Sequence, residues 1–170
     1  MKTGNEESSR GRSLAGLVGL LVLVFVAAGV GGAGSAGAPA LYAALDRPAW
    51  APPAGVFAPV WTLLYLMMAI SAWLIWRIPD PSGRQRAAFS LFGIQLAVNA
   101  LWSWCFFAWQ SWSLAFVNVV LLDLLLVATI WRFALLSRQA AFLLLPYLAW
   151  IGFATVLTWS CWQRNPLLLG

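Results

Sequence analysis

Residues 113–135 read SLAFVNVVLLDLLLVATIWRFAL, an apolar run interrupted by one acidic residue, Asp123, and one basic residue near its end, Arg132. About 20 helical residues cross the hydrocarbon core of a bilayer, so this run is long enough to span one. Four further runs have the same character, at about 14–32, 57–76, 87–109 and 140–162. None shows the short alternation of outer-membrane barrel strands, and inside a bilayer the remaining way to satisfy every backbone group is the helix. The fold class expected is an all-α integral membrane protein, a bundle of five transmembrane helices.

Composition leads to the same class. Of 170 residues, 62% are hydrophobic and 9% charged, whereas a soluble domain carries about a quarter charged residues. The expected organisation is an N-terminal cytoplasmic tail at 1–13, a membrane domain at 14–165 and a C-terminal tail at 166–170. A Gly/Ala/Pro-rich link at 33–56 joins the first two spans, and a polar turn, PDPSGRQR at 79–86, joins the next two. Gln110-Ser111-Trp112 and Ser137-Arg138-Gln139 are tight hairpins, which make the last three helices antiparallel neighbours. A signal-peptide reading of the first run competes with the spanning one. The length of the run, and Pro39 directly after the small-residue site near Ala36-Gly37-Ala38, favour a span.

The basic residues are distributed unevenly. Lys2, Arg10, Arg12, Arg77, Arg84, Arg86, Arg132 and Arg138 share one side, and only Arg47 and Arg164 lie on the other. The positive-inside rule then puts the N-terminus in the cytoplasm and the link and C-terminus outside, for a bacterial cell membrane. Single and paired arginines flanking apolar runs do not form the basic stripe that a nucleic-acid groove requires, so no nucleic-acid partner is expected. Histidine is absent, which excludes His-dependent hydrolysis, zincin-type metal sites and imidazole ligation of haem. No metal site is expected. Cys105 and Cys161 lie in apolar runs without metal-ligand spacing and read as small packing residues, with a disulfide as the alternative.

Twelve tryptophans are more than anchoring needs. Trp73, Trp76, Trp109, Trp112, Trp131, Trp159 and Trp162 stand near helix ends, where interfacial anchoring accounts for them. Trp61, Trp102 and Trp150 stand inside spans. Gln95, Asn99, Trp102 and Phe106 share one face of the third helix. Trp61, Tyr65, Met68 and Ala72 share a face of the second, and Tyr147, Trp150, Ala154, Thr158 and Cys161 a face of the fifth. Such stripes serve either as packing or as a cavity wall, and the two amides either as interhelical glue or as the polar floor of a pocket. Indoles with few polar groups suit a large planar ligand. Asp123, the one acidic residue within a span, is read either as a hydrogen-bonded contact residue or as a coupling residue. Small residues at Ala27/Gly31 and Ala28/Gly32 mark a surface of the first helix made for close approach. The stretch LDRPAWAPP (45–53) has the stiffness of a lid, with Trp50 as its amphipathic residue; a plain spacer is the other reading.

RPAWAPPAGVFAPVWTLLY (47–65), QLAVNALWSWCFF (95–107) and PYLAWIGFATVL (146–157) together resemble the translocator protein family, also called tryptophan-rich sensory proteins or peripheral-type benzodiazepine receptors. The resemblance implies a five-helix bundle, commonly a homodimer in bacteria, with one pocket beneath the first link. It implies porphyrin or haem as a bound ligand rather than a required cofactor, and a role in transport or sensing. Through it Trp61 and Trp150 match the pocket tryptophans tied to porphyrin contact and to light-dependent porphyrin breakdown. They are accordingly the catalytic candidates if the protein is an enzyme, the less favoured reading. Tyr65, Asn99 and Ala154 match further pocket positions, and Trp50 the lid aromatic. Trp102 joins the ligand-binding set from its helix face.

This chain departs from the family at four places. Gly55 stands where many relatives have a second lid tryptophan, and Thr158 replaces a common Asn. Asn118 stands where relatives often carry an acid, with Asp123 five positions on. VLTWSCWQR (156–164) lacks the Tyr of the sterol-recognition pattern, which speaks against sterol binding. A small proton-coupled exporter relying on Asp123 ranks last, because one acidic residue and no internal repeat support it poorly.

Overall fold

A computed structural model describes residues 2–79 and 83–166. The expected C-terminal tail beyond residue 166, and the centre of the PDPSGRQR turn at 80–82, lie outside the described residues. The described residues are helical and turn structure without strand. In chain order they form α1 (Lys2–Gly34), α2 (Ala38–Ala44), α3 (Phe57–Trp76), α4 (Arg84–Ser103), α5 (Trp112–Ala134), α6 (Arg138–Leu143) and α7 (Leu145–Arg164). Five stretches are long and apolar enough to cross a membrane, the last of them comprising α6 and α7 together.

The elements differ from the sequence expectation at four points, each with a local cause. The segment 2–13, expected as a tail, continues α1, since nothing between Lys2 and Leu14 breaks a helix except isolated glycines. The link at 33–56 is not plain coil: it contains α2 and a 3₁₀ turn at Ala54–Val56. The third span ends its α-helix at Ser103 and widens into a π-turn, Trp104–Ala108. There the Trp109 N–H donates to the Trp104 carbonyl at 2.8 Å, and Gln110 takes a left-handed φ of 49° to turn the chain into α5. The fifth span is interrupted between α6 and α7, because Pro146 has no N–H to continue the ladder.

Around the bundle the order is α1, α4, α5, α6/α7 and α3, which returns to α1. Away from the link the interior is tightly filled. Met68, Ala72, Ile75, Ala88, Ala140 and Leu144 are fully buried, Phe92 stacks on Phe133 at 5.9 Å, and Ser71 Oγ donates to the Ala140 carbonyl at 2.7 Å. Outward-facing Val18, Val22, Leu63, Ile70, Val117, Leu124, Val127 and Val156 are exposed on four different helices. Apolar side chains pointing outward around the bundle are what a hydrocarbon solvent requires. The protein is an integral multi-pass membrane protein.

Small residues let α1 approach. A Cβ on Gly31 would lie 3.5 Å from the Ala100 backbone, so the two helices meet almost backbone to backbone. Three residues on, Gly34 receives the ring of Trp104, whose indole N–H donates to the Val30 carbonyl at 3.0 Å. Trp104, without a role in the sequence reading, is thus the clamp between α1 and the end of α4. Trp73 ties the other end of the apolar stretch of α1, donating to the Ser13 carbonyl at 2.8 Å.

One expected anchor is not one. Trp112 is only 1% exposed and packs on Phe106 with ring centroids 4.1 Å apart. Closeness to a helix end sets depth, while the direction of the side chain follows from the π-turn that folds α4 back over α5. Trp76, Trp109, Trp131 and Trp159 do face outward. Trp73 and Trp162 are half-buried.

A tryptophan-walled cavity beneath the first link

At the end of the bundle that carries the link, the helices spread around a cavity of about 360 Å³. Its shape follows from the residues that border it. Ala28, Gly31 and Gly32 of α1 offer almost no side chain, which leaves room on that flank. The π-turn sets Phe106 and Phe107 side by side on the cavity wall, with Trp102 stacked on Phe106 at 4.8 Å and edge-on to Phe107 at 5.8 Å. π-turns of this kind recur at ligand sites because they re-aim consecutive side chains.

Six of the seven ligand-binding candidates border the cavity: Trp61, Tyr65, Asn99, Trp102, Trp150 and Ala154. Trp61 leans on Tyr65 at 5.5 Å and 31°, and Trp150 stands edge-on to Phe57 at 5.9 Å. Trp150 also forms the wall between the cavity and a shallow apolar groove between α3 and α7, lined by Val60, Leu64, Ala149 and Phe153 among others. Trp50 is not brought into the cavity. It is 48% exposed and sits edge-on to Phe153 at 5.7 Å, one ring removed from Trp150.

The floor is polar and buried. The Tyr65 hydroxyl donates to Asn99 Oδ1 at 2.7 Å, Asn99 Nδ2 donates to the Tyr147 hydroxyl at 2.8 Å, and Tyr147 donates to Gln95 Oε1 at 3.1 Å. All four side chains are buried. The Trp102 indole N–H is also buried and has no partner among the described residues. A buried donor without an acceptor costs about 1–3 kcal/mol, and this one belongs to a residue of the cavity wall.

The roof is the link itself. Tyr42 of α2 is buried, donates to the Pro52 carbonyl at 2.7 Å, meets Phe57 edge-on at 5.4 Å, and carries the Arg47 guanidinium over its ring at 4.4 Å. Asn165, just past α7, holds the middle of the link by two hydrogen bonds to the Asp46 backbone. Helical spacing does not single out Tyr42, Phe57 or the α1 glycines as cavity residues. Their signals are present, in the small-residue spacing of α1 and in aromatics flanking the proline-rich stretch, but their meeting depends on how the link folds back.

Asp123 lies elsewhere. Thr155 Oγ1 donates to its Oδ2 at 2.7 Å across the α5–α7 seam, and Asp123 does not border the cavity. Cys105 and Cys161 are buried free thiols, Cys161 at the cavity edge. Among the described residues no group of His, Cys, Asp or Glu is arranged to hold a metal ion.

Comparison with known proteins bears on this arrangement. The TspO/MBR family profile matches residues 19–163. The chain is 38% identical to the tryptophan-rich protein TspO of Chlorobaculum tepidum, over 74% of this chain and 79% of that protein. It is 37% identical to the translocator protein of Ovis aries, over 73% of this chain and 74% of the relative. It is 35% identical to the tryptophan-rich sensory protein of Cereibacter sphaeroides, over 73% and 76%. The matched region takes in the helices that build the cavity, and the chain belongs to the TspO/MBR family.

Proposed function

We propose that the protein binds a tetrapyrrole, porphyrin or haem, in this cavity and acts as its translocator or sensor. The observation that carries the reading is the composition of the wall. Three indoles, Trp61, Trp102 and Trp150, line a largely apolar space whose floor carries the hydrogen-bonded Tyr65 and Asn99, with a few hydroxyls, such as Ser35, Ser103 and Thr158, elsewhere on the wall. A planar macrocycle gains from stacking on indole faces and needs few hydrogen bonds, whereas a small polar solute would find almost nothing to bind. No imidazole exists to ligate haem iron.

The membrane in this reading is a bacterial cell membrane, and there the charge distribution favours an N-terminus in the cytoplasm, with the link and cavity at the outer side. A homodimer is part of the proposal through the family resemblance. A light-dependent enzyme is the second reading, supported by the placement of the oxidisable Trp61 and Trp150 indoles on the cavity wall. The exporter reading loses ground because Asp123 is engaged with Thr155 outside the cavity.

A binding screen of porphyrins, bilins and sterols on the purified protein in lipid nanodiscs tests the reading. Saturable binding of porphyrins in preference to sterols is expected. Tight sterol binding without porphyrin binding overturns it.

A further inference from the structure

Tyr65, Asn99, Tyr147 and Gln95 form one chain from the cavity wall into the buried core, and it has a direction. Each hydroxyl hydrogen points away from the cavity: Tyr65 to Asn99 at 2.7 Å, then Asn99 to Tyr147 at 2.8 Å, then Tyr147 to Gln95 at 3.1 Å. Tyr65 therefore offers the cavity only the lone pairs of its oxygen. At the far end Gln95 Nε2 is fully buried and has no partner among the described residues. Gln95 and Tyr147 do not border the cavity at all.

A side-chain amide keeps its shape when turned by 180°, which exchanges its oxygen and nitrogen. Turning Asn99 and Gln95 and rotating two phenolic hydrogens reverses every bond without displacing the backbone. Gln95 Nε2 then donates to Tyr147, Tyr147 to Asn99, and Asn99 to the Tyr65 oxygen. The Tyr65 hydrogen is released toward the cavity. Partial reversal is disfavoured, because two donors or two acceptors would face each other at one link. The reversal gives the orphaned Gln95 N–H a partner but leaves the Gln95 carbonyl oxygen and the Tyr65 hydroxyl hydrogen without one, so the setting seen here is the resting one.

We propose that Gln95 and Tyr147 are positioning residues that set whether Tyr65 presents an acceptor or a donor to the ligand, and that the resting setting selects planar molecules with a lactam- or pyrrole-type N–H at their edge. The inference rests on the cavity being a ligand site.

The test compares phenanthridin-6(5H)-one with its N-methyl derivative, which keeps the rings and the carbonyl but lacks the N–H. Both are titrated against the full chain in nanodiscs. One hydrogen bond is worth about five- to tenfold in affinity, and the lactam should bind tighter by that factor. In Tyr65→Phe the ratio should fall to about one, whereas steric rejection of the methyl group would survive that change. In Gln95→Met the Tyr147 hydrogen has lost its acceptor. The chain then runs in reverse, Tyr65 donates to the carbonyl of either probe, and the ratio again falls to about one. A purely structural role for Gln95 would weaken both probes alike and keep the ratio, which overturns the proposal. So does a ratio near one in the unsubstituted protein, or no binding of either probe. If Gln95→Met does not fold, the unsubstituted protein and Tyr65→Phe decide on the same criteria. Protoporphyrin IX quenching on the same preparations separates the two claims. A preserved porphyrin response with a ratio of one overturns only the relay, and a lost response with the ratio intact overturns only the tetrapyrrole reading.

Discussion

Asn165 grips Asp46 from both sides of one residue's backbone. The Asp46 N–H donates to Asn165 Oδ1 at 2.9 Å, and Asn165 Nδ2 donates to the Asp46 carbonyl at 3.0 Å and to the Cys161 carbonyl at 2.8 Å. A residue at the end of the last helix thereby holds the centre of a link more than a hundred residues earlier. The roof of the cavity is a fastened strap.

Replacing Asn165 with Ala removes two hydrogen bonds to the Asp46 backbone, each worth about 0.5–1.5 kcal/mol. Amide hydrogen exchange at residues 45–47 should speed up by about tenfold or more. The Arg164–Asp46 ion pair beside it, 3.6 Å and largely exposed, is the contrast. Arg164→Ala should alter exchange by less than about twofold.

Gly34 and Gly31 predict opposite responses on one helix. A Cβ at Gly34 would come within 2.9 Å of the Trp104 ring and 3.0 Å of its backbone nitrogen, and that ring is held by its bond to Val30. At Gly31 the nearest atom is 3.5 Å away, an ordinary contact. Gly34→Ala should lower the thermal midpoint in detergent by several degrees, in line with overpacking costs of about 1–3 kcal/mol. Gly31→Ala should leave it unchanged or raise it, because alanine favours helix by about 1 kcal/mol.

Trp112 and Trp109 separate packing from anchoring. Trp112 is 1% exposed and Trp109 is 55% exposed. Trp112→Ala should cost about 3–5 kcal/mol and sharply reduce the yield of folded protein. Trp109→Ala should fold normally, with a midpoint close to that of the parent.

Asp123→Asn keeps an oxygen for the Thr155 hydroxyl and changes nothing in the cavity wall. Porphyrin affinity should stay within about twofold of the parent. A proton-coupled carrier built on this carboxylate would instead lose transport in a liposome assay.

Much of the cavity wall is legible in the amino-acid sequence. Trp61, Asn99, Trp102 and Trp150 stand out because helical spacing puts them on inward faces and counting along each span gives their depth, while Tyr65 and Ala154, on the same faces, are marked as pocket positions by the family resemblance. What spacing does not show is where a non-helical segment goes. The family resemblance marks Trp50 as the lid aromatic, yet its ring stops at Phe153, while Tyr42 reaches the cavity from a part of the link that reads as featureless. The π-turn at Trp104–Ala108 is hidden for a different reason. Its i+5 hydrogen bond follows from α4 meeting α1 and α5, and no local pattern in WCFFA demands it. Trp112 reads as an anchor only as long as that turn is left out of account. Pro146 does announce the break before α7, although the apolar run around it reads as continuous.

The central claim is that the cavity tryptophans hold a planar tetrapyrrole, and quenching of tryptophan fluorescence by protoporphyrin IX measures it most directly. The comparison is between the parent protein and the Trp61→Phe/Trp150→Phe double variant, both in nanodiscs. Phenylalanine keeps the wall apolar but reduces the stacking area and removes both indole N–H groups. Stacked aromatic pairs are worth about 0.5–1.5 kcal/mol each, so affinity should fall by about tenfold or more in the double variant. The ten remaining tryptophans, Trp102 among them, still report binding. Unchanged affinity in a correctly folded double variant would contradict the account.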